Sequence, residues 1–187
     1  MQLKETIENR RSIRRYKDIE VPKDLIEDLI ECARLAPSAK NRQPWEFLIV
    51  KSNTKNEIAD IMLEKEKGRN ISIENKLLNA NGSVKATAKI IKEAPILILV
   101  FKPYNDNWNT GDTLSVGGAI EHICLRATDL GLGSLWIRDT VYTQKEIAKL
   151  VGYENMELIS AIAVGYADEE PKQRPRKKLE EILKWHY

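Results

Sequence analysis

Four segments of this sequence carry residue types that could do chemistry. The first is Arg10-Arg11-Ser12-Ile13-Arg14. In an extended segment alternate side chains share a side, so Arg10, Ser12 and Arg14 would converge. Two guanidinium forks and a hydroxyl suit a phosphate dianion. The same run also reads as a solvated basic face at a helix end. The second segment, Pro37-Ser38-Ala39-Lys40-Asn41-Arg42-Gln43-Pro44-Trp45, is a turn-rich loop leading into an apolar run. Binding residues gather on such loops, although an ordinary helix-to-strand connection has the same composition. The third, Gly131-Leu132-Gly133-Ser134-Leu135-Trp136-Ile137-Arg138-Asp139, lacks the third glycine of a dinucleotide fingerprint. It also follows a helix and precedes a strand, the reverse of the order that fingerprint needs. It reads better as a helix end at Gly131 followed by a strand. The fourth is the basic run Arg174-Pro175-Arg176-Lys177-Lys178. Such a run is usually solvated, and gains meaning only if it meets the first cluster around a shared anion.

Protein-based nucleophilic or metal chemistry has no visible machinery. His122 and His186 have no carboxylate or cysteine at a telling spacing, and Ser12, Ser38, Ser115 and Ser134 sit in no nucleophile elbow. No phosphate loop or zinc-ligand pattern is present. These absences point to a bound cofactor as the source of chemistry.

The elements that must position these segments follow from periodicity. Residues 3–10 read as a short helix. Pro22 opens an amphipathic helix with Leu25, Ile26, Leu29, Ile30 and Ala33 on one face, ended by Pro37. Residues 46–50 read as a strand, 54–67 as a helix, 68–82 as a mobile loop that can include a helical turn, and 83–93 as a helix. The continuous apolar run 95–101 suits a strand covered on both faces. A long helix is expected over 113–130, apolar or small nearly all round, and therefore central or in an interface. Strands are expected at 134–138 and 157–166, a helix at 144–151 and a short tail helix at 179–185. Strands alternating with helices give an α/β or α+β class with one layered sheet.

The chain has 187 residues, 42% hydrophobic and 31% charged, which suits one compact soluble domain. A net charge of only +2 does not suggest nucleic acid as the main partner. The longest apolar run is far too short to span a bilayer. The polar N-terminus lacks a signal-peptide core. Cys32 and Cys124 have no disulfide or metal spacing and read as buried thiols in a reducing compartment, so a cytoplasmic location is expected.

Taken together and in order, the four segments resemble the nitroreductase family of FMN enzymes. Arg10 to Arg14 resembles the family's opening signature. Ala36-Pro37-Ser38-Ala39 with Asn41 and Gln43-Pro44-Trp45 resembles its second. Ala127 with Leu130 to Gly133 and Trp136-Ile137 resembles its third. Gly165-Tyr166 with Pro171 and Arg174-Pro175-Arg176 resembles its close. The resemblance implies an α+β fold with a central, mostly antiparallel sheet wrapped by helices. It implies a single domain over 1–187, whose tail, 167–187, embraces the partner in a homodimer with FMN at the interface. By position, Arg10, Ser12 and Arg176 would hold the phosphate, with Arg174 a further cofactor-binding residue of the tail. Arg11 and Arg14 would lie along the ribityl chain and pyrimidine edge. Pro37, Ser38, Ala39 and Asn41 would come from the partner subunit. Trp136 and Ile137 would line a ring face, with the Arg138 and Asp139 backbone near flavin N5.

The resemblance also implies hydride transfer from NADH or NADPH through flavin N5 to a small electron-poor acceptor such as a nitroaromatic, quinone or enone. The alternatives are a flavin-cleaving or dehalogenating relative of the same fold, and a non-catalytic FMN-binding storage or sensing module. Glu121 departs from the family pattern, where an amide is common, and so do Arg138 and Asp139, where Gly or Glu often appear.

Overall fold

The structure, a computed structural model, describes residues 2–67 and 80–187. Its centre is β2 (Ile96–Pro103), the continuous apolar run, whose residues are buried through Lys102. Alternate residues point to opposite faces of a strand. Leu97, Leu99 and Phe101 therefore enter one core, and Ile96, Ile98 and Val100 enter the other. Strand β1 (Glu46–Val50) pairs with one edge of β2, and β4 (Met156–Gly165) with the other. Strand β3 (Gly133–Ile137) lies outside β4, giving the order β1-β2-β4-β3. Every pair is antiparallel. The β2–β4 register slips between Val100 and Phe101, so that Val100 faces Ser160 and Phe101 faces Leu158.

Helices cover both faces. Helices α3 (Ser52–Lys67), α4 (Ala80–Glu93) and α6 (Gln144–Leu150) lie on the Leu97 side. Helices α2 (Lys23–Arg34) and α5 (Asn109–Asp129) lie on the Ile98 side. Truncating a core leucine such as Leu99 to alanine should cost about 2–5 kcal/mol. The α2 stripe behaves as its spacing predicts, with Ile26, Leu29 and Ala33 buried. Helix α5 ends in a paired C-terminal motif. Gly131, at φ 74°, donates to the Thr128 carbonyl, and Leu132 donates to that of Ala127. The left-handed turn needs glycine and sends the chain straight into β3.

Several element limits differ from expectation. Helix α2 stops at Arg34, before Pro37, as the restriction a proline imposes on its predecessor favours. Helix α4 begins at Ala80, so 80–82 join the helix that was expected from 83; the rest of the expected 68–82 loop lies outside the described residues. Helix α5 starts four residues earlier than expected, at Asn109. The tail helix, α7 (Leu179–Ile182), is only four residues long and exposed throughout: among the described residues none buries it. The first helix, α1 (Leu3–Asn9), leads into the basic segment.

Candidate functional site

The basic segment 10–14 is extended and stitched onto the edge of β3. Ser12 forms a parallel bridge with Ser134, and the Ile13 amide donates to the Ser134 carbonyl at 2.9 Å. Gly133 permits this approach: a Cβ built there would lie 2.8 Å from Ile13 Cγ1. The buried Ile13 side chain locks the segment in register, leaving Arg10, Ser12 and Arg14 half-buried at the surface. Tyr16 continues the anchor. Its buried hydroxyl donates toward the Ile13 carbonyl at 2.8 Å and the Ala163 carbonyl at 3.2 Å, and burial pushes its pKa upward.

The guanidinium groups have little local neutralisation. Arg10 meets Glu121 of α5 at 3.9 Å. Arg14 Nη1 donates to the Ser12 carbonyl at 3.1 Å, and among the described residues its guanidinium meets no carboxylate. Arg11 turns back instead, donating to the Glu8 and Arg10 carbonyls at 2.6 and 2.9 Å, and so caps the end of α1. A cation at a helix C-terminus is favourable there. Glu169, from the start of the tail, accepts from the Arg14 and Arg15 amides at 2.5 and 3.2 Å. Nothing in its surrounding sequence marked this role, because the pairing spans about 155 residues.

Beside this strip lies Trp136 of β3, 45% exposed, with its ring edge 4.0 Å from where a Gly117 side chain would begin. Gly118 opens onto free space. Ile137 differs: its side chain is buried in the core beneath the sheet, so it offers only main chain to this surface. Arg138 is exposed, lies over the Tyr142 ring and donates to the Tyr142 hydroxyl at 2.9 Å. Asp139 accepts from Thr87 at 2.8 Å. Cys124, behind Ser134, is a buried thiol raised to about 11 by burial and is not a poised nucleophile. Cys32 is only half-buried, in contrast to the expected pair of buried thiols.

The second loop sits elsewhere along α5. Pro37 is exposed, Ser38 and Ala39 are half-buried and Asn41 is exposed. A short 3-10 turn, Ala39–Asn41, shapes the loop. It rests on the first turns of α5, where the Ala39 amide donates to Ser115 Oγ at 3.1 Å. Arg42 grips Asp112 with two bonds, 2.9 and 3.1 Å. Lys40, Asn41 and Gln43 have left-handed φ values of 50°, 57° and 48°. Three such non-glycine residues in four positions mark a held conformation. Among the described residues no hydrogen bond or ion pair joins this loop to segment 10–14. Nor does one join Arg174 or Arg176 to Arg10 or Ser12. The tail arginines are exposed, and Arg176 donates to the Arg174 carbonyl at 3.4 Å.

Within one chain, then, segment 10–14, β3 and the middle of α5 come together. The loop and the tail arginines stay apart from them. The structural roles of Asp112 and Ser115 are not among those the motifs suggested. Their signal was a polar pair in phase with Val116, Ala119 and Ile123 on the buried stripe of α5, where a charge requires a partner.

Comparison with known proteins gives concordant matches. The family model described as "Nitroreductase family" matches residues 7–166. A Bacillus subtilis protein provisionally named an NAD(P)H nitroreductase, YfhC, is 28% identical over 177 residues, covering 93% of this chain and 89% of that protein. Iodotyrosine deiodinase of Thermotoga neapolitana is 31% identical over 177 residues, covering 91% of each chain. The crystal structure of a BluB-like flavoprotein from Clostridium difficile 630 superposes with a TM-score of 0.80 at 27% identity, with both chains fully covered.

Proposed function

The chain belongs to the nitroreductase family, and from that premise we propose that it is an FMN-dependent oxidoreductase taking hydride from NADH or NADPH. The acceptor is a small electron-poor molecule such as a nitroaromatic, quinone or enone. One observation supports this reading above others: a strip of under-neutralised arginines and a serine is stitched beside a half-exposed tryptophan. An anion of one phosphate group and a flat ring fits that juxtaposition. Bound FMN would supply the hydride-accepting and hydride-donating atom, N5.

The chain's own residues bind and orient. Arg10, Ser12 and, from the tail, Arg174 and Arg176 hold the phosphate. Arg14 faces the pyrimidine edge, where its positive charge favours electron uptake. Arg11 offers the ribityl chain only its aliphatic stem, since its guanidinium is turned back to cap α1. Trp136 and the Ile137 main chain line one ring face, and the Arg138 and Asp139 backbone lies near N5. Pro37, Ser38, Ala39 and Asn41 complete the pocket from a second copy in a homodimer. The tail, 167–187, embraces that copy; its exposed Leu179, Ile182, Trp185 and Tyr187, and Leu114 of α5, are apolar groups that a partner would cover. Among the described residues no helix is long and apolar enough to cross a membrane. Two unpaired thiols suit the reducing cytoplasm.

The test is anaerobic mixing of the purified protein with NADH or NADPH. Rapid bleaching of a flavin spectrum, reversed by p-benzoquinone with stoichiometric quinone reduction, supports the reading. A bound flavin that neither nucleotide reduces favours a storage or sensing module instead. The deiodinase relative motivates a second reading, reductive dehalogenation. Iodide release from 3-iodotyrosine under dithionite, faster than quinone turnover, would favour it.

A further inference from the structure

Asp112 is fully buried and lies in the first turn of the long helix α5, yet no role on the Trp136 surface explains it. It accepts both arms of Arg42, whose guanidinium in turn lies over the Trp108 ring at 4.7 Å. Lys40 reaches the same ring at 5.4 Å. Beneath them, buried Lys102 of β2 pairs with Glu157 of β4 at 2.6 Å. The Arg42–Asp112 pair joins the loop to α5, and the charge of Lys102 in the sheet also favours the ionised Asp112. Two further contacts seat the loop. Ser115 accepts from the Ala39 amide and donates to the Gly111 carbonyl at 2.6 Å. A Cβ on Gly111 would press Ala39 Cβ at 3.3 Å, so that position leaves room for the loop. The loop is internally closed as well, with the Gln43 amide donating to Ser38 Oγ at 3.0 Å.

Three left-handed residues, Lys40, Asn41 and Gln43, are not a conformation the chain adopts unaided. Something outside the loop must hold them, and the only buried carboxylate touching the loop is that of Asp112 among the described residues. We infer that Asp112, acting through Arg42, is a positioning residue: it sets the geometry with which Ser38, Ala39 and Asn41 meet the flavin. This rests on the proposed FMN reading. The arrangement explains why a charge is kept at the buried start of α5, since breaking such a pair strands a charge away from water. Arg42 also holds the Asp112 carboxyl below the usual carboxylate range, so the clamp stays closed through neutral pH.

The test uses the full-length protein and the variants Asp112→Asn, Arg42→Gln, Arg42→Lys and Asp112→Asn/Arg42→Gln. FMN affinity is read by fluorescence quenching, and exchange of the 38–43 amides by mass spectrometry. Losing about two hydrogen bonds from the loop to the flavin costs about 10- to 100-fold in affinity. The expected result is a loss in that range for Asp112→Asn and for Arg42→Gln, with the double variant no worse than either single. Partial recovery in Arg42→Lys and faster exchange confined to 38–43 are expected too. FMN affinity within twofold of wild type in a folded variant would overturn the inference, and so would additive losses. If Asp112→Asn fails to fold, the partly exposed Arg42 variants decide by the same two criteria. If the wild type takes up no FMN, the functional reading fails on its own. The clamp is then judged by exchange alone: acceleration at 38–43 sustains it, and unchanged exchange overturns it.

Discussion

Gly133→Ala tests how the fold builds the anion strip. A methyl at this position would lie 2.8 Å from Ile13 Cγ1 and 2.9 Å from both its Cβ and Cγ2. Carbon atoms prefer separations of about 3.5–4.0 Å, so Ile13 must move by roughly 0.7–1.2 Å. It cannot move alone, because its amide is bonded to Ser134 and its side chain is buried. Overpacking of this kind costs about 1–3 kcal/mol. For a chain of this length each kcal/mol lowers Tm by about 2–4 °C, giving a fall of about 2–12 °C. The same shift carries Arg10, Ser12 and Arg14 away from the anion. Loss of one charge-assisted bond is worth about 1.5–3 kcal/mol, so FMN affinity should fall roughly 10- to 150-fold. Scanning calorimetry and fluorescence titration read the two effects. A variant with wild-type Tm and FMN affinity within twofold would refute the reasoning, because segment 10–14 would then not depend on its seat against β3.

Three further outcomes are expected. Arg14→Ala should weaken FMN binding by about 1.5–3 kcal/mol and lower the flavin's midpoint potential; an unchanged redox titration would remove Arg14 from the pyrimidine edge. Stability should decline in alkali. Burial raises the pKa of both Cys124 and Tyr16, so their neutral forms stabilise the fold fully below their unfolded values near 9 and 10. That contribution is lost as pH rises through about 11 for Cys124 and continues to fall beyond it for Tyr16. Urea unfolding at pH 8 and pH 11 checks this, and Cys124→Ala should flatten the first part of the decline. Finally, replacing Ile182 and Trp185 with serine should shift the protein from dimer toward monomer in light scattering, with Tm and elution both dependent on concentration; a monomeric wild type would end the tail-exchange proposal.

Much of the fold was legible because its signals are local. The seven-residue run 95–101 has no polar face, and it became the strand buried on both sides. The 3.6-residue stripe of α2 and the glycine closing α5 were equally readable. The limits that slipped were those set by tertiary contact. The added first turn of α5 carries Asp112, which Arg42 of the loop engages, and α7 stops early with no described residue burying it. The candidate site was legible in its parts and not in its assembly. Alternation placed Arg10, Ser12 and Arg14 together, but not beside Trp136; that neighbourhood depends on Gly133 admitting Ile13. Glu169 was invisible, and Asp112 showed only as a charge in phase with a buried stripe, because a carboxylate's partner 155 or 70 residues away leaves no spacing to read.

The central claim is that arginines from both ends of the chain grip a single phosphate. Paired titration of the flavin-free protein with FMN and with riboflavin, which lacks that phosphate, tests it most directly. Two or three charge-assisted bonds, each about 1.5–3 kcal/mol, predict an FMN preference of at least roughly 100-fold. Arg10→Ala and Arg176→Ala should each erode that preference while leaving riboflavin affinity unchanged. Equal affinity for the two flavins, or a preference untouched by either substitution, would contradict the account.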